Sequence, residues 1–151
     1  MTDPIFETSS PRFGLPLLFA GQAQKEGHVN EALARLDTLL HLVLEAQLAT
    51  PPTSPQNGQC WLVGSSATGA WSSRSGQIAC FCSGNWLFAQ PRDGMIALNR
   101  EAGQLVRFAG GWHQASRPTT PSGGTTVDSQ ARSAIAEVVA ALTTAGILPP
   151  A

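Results

Sequence analysis

Three tryptophans each close a copy of one short phrase. The copies run from Gly58-Gln59 to Gly69-Ala70-Trp71, from Gly76-Gln77 to Gly84-Asn85-Trp86, and from Gly103-Gln104 to Gly110-Gly111-Trp112. A flat aromatic face can stack on a pyranose ring, so Trp71, Trp86 and Trp112 are candidate glycan contacts. The same placement also describes a packing repeat, in which one residue at one position of every unit forms a shared core layer. Packing is the reading that the repeat favours, with a ligand role left open for any one of the three. Trp61 alternates with Cys60 and Leu62 and is expected inside.

Other reactive side chains lack the groupings that chemistry needs. His28, His41 and His113 are scattered, with no pair at metal-ligand spacing. Cys80 and Cys82 flank Phe81 on an expected strand and so share one face, a poor arrangement for a disulfide. Cys60, Cys80 and Cys82 are therefore expected as reduced thiols. Glu26, Glu31, Asp37, Glu45, Asp93, Glu101, Asp128 and Glu137 fall mostly on helices and turns, without the convergent carboxylates or nucleophile–base pair that catalysis requires. GxSxG, HExxH, P-loop and GxGxxG patterns are missing. No enzyme, cofactor or metal site is expected. One dense polar cluster remains: Gln22, Gln24, Lys25, Glu26 and Asn30. It reads either as a solvated, helix-capping face or as a set of interchain hydrogen bonds.

Around these residues the pattern places an α+β fold. Residues 1–21 form an extended arm broken by Pro and Gly, whose Ile5, Phe6, Phe13, Leu15, Leu17, Leu18 and Phe19 are too apolar for a solvated tail. A helix is predicted over 22–49, with Val29, Leu33, Leu36, Leu40 and Val43 as its apolar stripe and Asn30 as a possible N-cap. Pro51 and Pro52 end it. Residues 50–115 form an antiparallel β-domain of three hairpin repeats. Its strands are expected at 59–63, 77–82, 85–89, 95–98, 104–108 and 112–114, with Gly84-Asn85 and Gly110-Gly111 as tight turns. A linker follows over 116–127. Asp128 then caps a C-terminal helix within 128–148, with Ala131, Ile135, Val138, Leu142 and Ala145 in a heptad-type seam.

Charged residues are only 13% of the chain and the net charge is −1. No strong field would draw nucleic acid or an anionic membrane. The start of the chain lacks the basic and apolar regions of a secretory signal, and no apolar run approaches the roughly 20 residues that span a bilayer. A sparsely charged surface rich in Gly, Ser, Thr, Gln and Ala suits a protein that hides surface in an assembly. The expected site of synthesis is the cytosol, with release by something else.

The stretch Pro11-Arg-Phe-Gly-Leu-Pro-Leu-Leu-Phe-Ala-Gly-Gln-Ala-Gln-Lys-Glu26, followed by Asn30-Glu-Ala-Leu33, resembles the opening of a domain family of formally unknown function met in tailed phages and phage-like gene transfer agents. The family pattern LPLLxxGQAQKExxHNEAL is then followed by a β-region, GxxxxVGxxATGAWxxxxGxIAxxxxGxWxFxxPxxG. Gly58, Val63, Gly64, Ala67-Thr68-Gly69-Ala70-Trp71, Gly76, Ile78-Ala79, Gly84, Trp86, Phe88, Pro91 and Gly94 match that second half. One departure is that the family His beside Asn30 stands here at His28, with Val29 between. The resemblance covers about 11–112. It implies a structural particle component: an oligomeric head spike or fibre base (trimer or pentamer) that attaches to capsid or tail and to a further fibre protein. It also implies assembly in a bacterial cytoplasm, a final place on the particle surface, a role in host attachment, and no catalytic residues. In that reading Phe13, Leu15, Leu17, Leu18, Gln22, Gln24, Lys25, Glu26, Asn30, Ile135, Val138 and Leu142 make the subunit or partner contacts. The alternative is a module that binds cell-surface polysaccharide through exposed Trp residues.

Overall fold

The computed structural model describes residues 9–21 and 25–150. The chain is α+β and divides into two compact units, up to Pro91 and from Arg92.

In the first unit, α1 spans Glu26–Leu39. Two short strands follow, β1 (Val43–Leu44) and β2 (Gln47–Leu48). The single helix predicted over 22–49 is therefore too long at its C-terminal end. Leu40 is already extended, and His41 takes a positive φ of 49° that breaks helical hydrogen bonding. Glu45 N then donates to Cys60 O at 2.8 Å and Leu62 N to Ala46 O at 3.1 Å. Tertiary pairing thus overrides the helical periodicity of the leucines.

β2 runs parallel to β3 (Cys60–Val63), with Gln47 opposite Leu62. β3 pairs antiparallel with β4 (Ile78–Cys82), which pairs with β5 (Asn85–Ala89), giving the order β2-β3-β4-β5. Opposite partners share a face, so Trp61, Val63, Ala79, Phe81, Trp86 and Phe88 line one side. Cys60, Leu62, Ile78 and Cys80 line the other. The first copy of the repeated phrase does not close as a hairpin. Its Gly69-Ala70-Trp71 forms a 3-10 turn instead, and that turn drops Trp71 onto the first face of the sheet. The β4–β5 turn lies at Ser83-Gly84, one residue earlier than expected, with φ of 49° and 79°. Two successive positive values are what a type I′ turn requires.

In the second unit, β6 (Ile96–Asn99), β7 (Gln104–Phe108) and β8 (Trp112–Gln114) form an antiparallel meander. The expected strands lie within a residue of those observed. Buried Ala97, Val106, Gln104 and Leu148 make the core of this unit. α2 (Ser129–Thr144) starts as predicted: the Asp128 carboxylate accepts from Gln130 N and Ala131 N, both at 3.0 Å. It ends in a Schellman motif. Gly146 has φ of 70°, Gly146 N donates to Thr143 O, and Ile147 N donates to Leu142 O, both at 2.9 Å. No residue of α2 is buried.

Candidate functional site

The tryptophans form the densest aromatic contact in the first unit. Trp71 is wholly buried and Trp61 is 5% exposed. Trp71 meets Trp86 edge-on at 5.0 Å between centroids, and Trp61 meets Trp86 edge-on at 5.6 Å. Phe81 adds a further edge contact to Trp86 at 5.1 Å. Each such pair contributes about 0.5–1.5 kcal/mol beyond the area it buries. Neither face of Trp71 is open to solvent. Trp86 is half-buried within the same cluster. In the second unit Trp112 is half-buried and edge-packed on Phe108 at 5.3 Å. Among the described residues, the indole nitrogens of Trp71 and Trp112 are buried without a hydrogen-bond partner.

The arm forms a second cluster, which the sequence did not disclose. Residues 10–15 make a tight loop in which Ser10 N donates to Leu15 O and Gly14 N to Ser10 O, at 2.9 and 3.2 Å. The loop is clamped by Asp37, a residue of α1 that is 1% exposed. Its carboxylate accepts from Ser10 Oγ at 2.6 Å, Phe13 N at 2.7 Å and Arg12 N at 3.0 Å. The Arg12 guanidinium reaches the end of α1 and donates to the carbonyls of Asp37, Thr38, Leu40 and His41, at 2.7–3.2 Å. These carbonyls have no intrahelical donor, and a cation there also complements the helix dipole. Further along, Asn30 grips Leu18 from both sides: Leu18 N donates to Oδ1 at 2.8 Å, and Nδ2 donates to Leu18 O at 3.0 Å. Gly21 N donates to Glu26 Oε1 at 3.0 Å.

Asn30 is therefore not the N-cap. Lys25 holds that position, without a side-chain cap. Of the predicted contact residues, Leu15, Leu17 and Leu18 are half-buried, Phe13 is 44% exposed, and Lys25 is exposed. Gln22 and Gln24 lie outside the described residues, as do Ile5 and Phe6.

This clamp rotates α1 away from the expected orientation. Asp37 and Thr38 are its buried residues, while Val29, Leu36 and Leu40 stand 40%, 60% and 50% exposed. The predicted stripe thus faces largely outward. The physical reason is the arm: its backbone donors need an acceptor, and Asn30 and Asp37 supply one at matching helical spacing. On α2, Ile135 and Val138 are exposed and Leu142 is half-buried. Both helices carry apolar residues at helical spacing on open surface.

Two cysteines that the sequence separates by 20 positions stand opposite each other, Cys60 on β3 and Cys80 on β4. Their interaction with each other pushes the Cys60 thiol up and holds the Cys80 thiol below the usual range. Burial raises Cys82. No group of His, Cys, Asp and Glu among the described residues is arranged to hold a metal ion.

The fold is α+β, with a polar clamp in the arm of the first unit. Residues 29–114, more than half of the chain, match the family described as proteins of unknown function, DUF2793. The chain belongs to that family. The arm up to Gly21 and helix α2 lie outside the matched residues. None of the curated proteins matches the chain. No helix among the described residues is long and apolar enough to cross a membrane.

Proposed function

We propose that this protein is a structural subunit of a phage or gene-transfer-agent particle: an oligomeric spike or fibre base that joins capsid or tail to a further fibre protein and aids attachment to the host surface. The observation that carries the reading is the outward turn of apolar residues on the helices. Val29 and Leu36 on α1, Leu40 just past its end, and Ile135 and Val138 on α2 are each at least 40% exposed. Apolar side chains at helical spacing gain by burial, roughly 1.5–3 kcal/mol for each large one, and symmetric self-association is the common way to gain it. The sequence resemblance to particle proteins points the same way.

In this reading the arm contacts at Asp37 and Asn30 hold Phe13, Leu15 and Leu17 in a fixed position from which a neighbour can be met. The aromatic cluster is internal structure. A glycan role would fall to Trp86 or Trp112, because Trp71 has no exposed surface.

Light scattering on the purified chain at micromolar concentration tests the proposal. An oligomer is expected, and Ile135→Ser with Leu142→Ser should weaken association while leaving the β-signal in circular dichroism in place. A strict monomer, alone and with its particle partner, would contradict it. Equal loss of association and β-signal would mean that α2 serves its own fold only. Titration with host polysaccharide should leave tryptophan fluorescence unchanged. A saturable shift lost in Trp112→Ala would establish the glycan reading instead.

A further inference from the structure

We propose that Cys60 and Cys80 are a redox site, a cross-strand dithiol that closes to a disulfide when the chain meets an oxidising, low-molecular-weight disulfide. The two residues are direct partners across the antiparallel β3–β4 pair. Hydrogen bonding fixes which kind of pair they form. Phe81 N donates to Gln59 O, and Val63 N donates to Gln77 O, both at 2.9 Å. Pairs 59/81 and 63/77 are thus hydrogen-bonded, and the alternation of the ladder puts 60/80 in the non-hydrogen-bonded class. In that class the Cα atoms approach to about 4.5 Å and the side chains lean together. This separation lies inside the range of roughly 4.4–6.8 Å that disulfides span.

The competing contacts are weak: Cys60 Sγ is 3.6 Å from Gly58 O, and Cys80 Sγ is 3.9 Å from Phe81 O. Cys82 provides a contrast within the same strand. It faces Asn85, has no cysteine opposite, and is half-buried.

The chemistry balances as two exchanges. The Cys80 thiolate attacks one sulfur of the small disulfide, whose S–S bond breaks and releases a thiolate. Cys60 then gives up its proton, attacks the Cys80 sulfur of the mixed disulfide, and expels the second thiolate. Two protein S–H bonds become one S–S bond, and the small disulfide is reduced to two thiols. The Cys80 thiol, acidified by its neighbour, is suited to the first attack.

Both residues are only 1% exposed, so entry depends on local opening. The arm controls that opening, because Pro11 and Arg12 lie against Gly58, two residues before Cys60. Closure would bracket the segment that carries Trp71 and tie β3 to β4 covalently. The biological timing rests on the particle reading: thiols reduced in the cell, and a bond formed once the particle is outside. The bond itself does not rest on it.

The test uses the full chain in glutathione buffers of reducing and oxidising poise, with free thiols alkylated under denaturing conditions before mass spectrometry. In the oxidising buffer, the chain should lose two hydrogens and retain one alkylatable thiol, Cys82. Digestion should give a peptide cross-linked between Cys60 and Cys80. Asp37→Ala, which loosens the arm, should speed the reaction tenfold or more. The oxidised chain should unfold at a higher urea midpoint than the reduced chain, and dithiothreitol should reverse this. Cys60→Ser should show neither bond nor shift. Three free thiols after prolonged oxidation, in both the natural chain and Asp37→Ala, would overturn the proposal, as would a bond through Cys82. These results are the same whether or not the chain is found in particles, so the two claims fail separately.

Discussion

Replacing Asp37 with Ala should release the arm while leaving the sheet intact. The carboxylate accepts three hydrogen bonds, from Ser10 Oγ, Phe13 N and Arg12 N, at 2.6–3.0 Å. Hydrogen bonds to a charged acceptor contribute about 1.5–3 kcal/mol each. The three do not simply sum, because the donors regain water once the arm lifts. The measured loss is therefore limited by the free energy of arm docking. Losing the equivalent of two such bonds, about 3 kcal/mol at the low end, corresponds to a roughly hundredfold more populated open state. Native-state hydrogen exchange reads this directly. The amides of Phe13 and of Leu15, which donates to Ser10 Oγ at 3.0 Å, should exchange about a hundredfold faster. Amides of the β4–β5 ladder should keep their protection, and Asp37→Asn, which retains one carbonyl oxygen, should fall between. Unchanged exchange at Phe13 in Asp37→Ala, with α1 still folded, would refute the clamp. Loss of protection across β4–β5 as well would show that Asp37 supports the whole unit rather than the arm.

Trp71→Ala should cost about 3–5 kcal/mol, as for other large aromatic truncations in cores, measured by urea unfolding with fluorescence of the remaining tryptophans; a cost below about 1 kcal/mol would contradict its place at the centre of the cluster. Gly146→Ala forces a Cβ onto a residue with φ of 70° and should destabilise the end of α2 by about 1 kcal/mol, seen as faster exchange of the Ile147 amide with no change at β4–β5.

The sequence disclosed those parts of the fold governed by local rules. Asp128 as N-cap and Gly146 as terminator are short-range signals, and α2 begins and ends where they say. Strands β5, β7 and β8 were legible from β-type residues between glycine turns. What escaped depends on partners distant in the chain. Leu48 continues a helical leucine pattern, yet it lies on a strand, because segment 45–48 finds β3 beyond a loop of ten or more residues. The first Gly-x-Trp copy shares its letters with the other two but closes as a 3-10 turn. The arm clamp was the largest omission. Its signal was present as Asn30, Ala34 and Asp37 at helical spacing, a polar and small face competing with the leucine stripe. Only the amides of residues 12, 13 and 18, which take Asp37 and Asn30 as their acceptors, explain why that face turns inward. The Cys60–Cys80 pair was likewise hidden, because register across β3 and β4 is set by the sheet rather than by spacing in the chain.

The central claim, a structural subunit of a particle, is tested most directly by quantitative mass spectrometry of particles purified from producing cells through successive density gradients. The account predicts that this chain sediments with the major capsid protein at a constant ratio that further purification does not change. Recovery of the chain only in the soluble cell fraction, with none in purified particles, would contradict it.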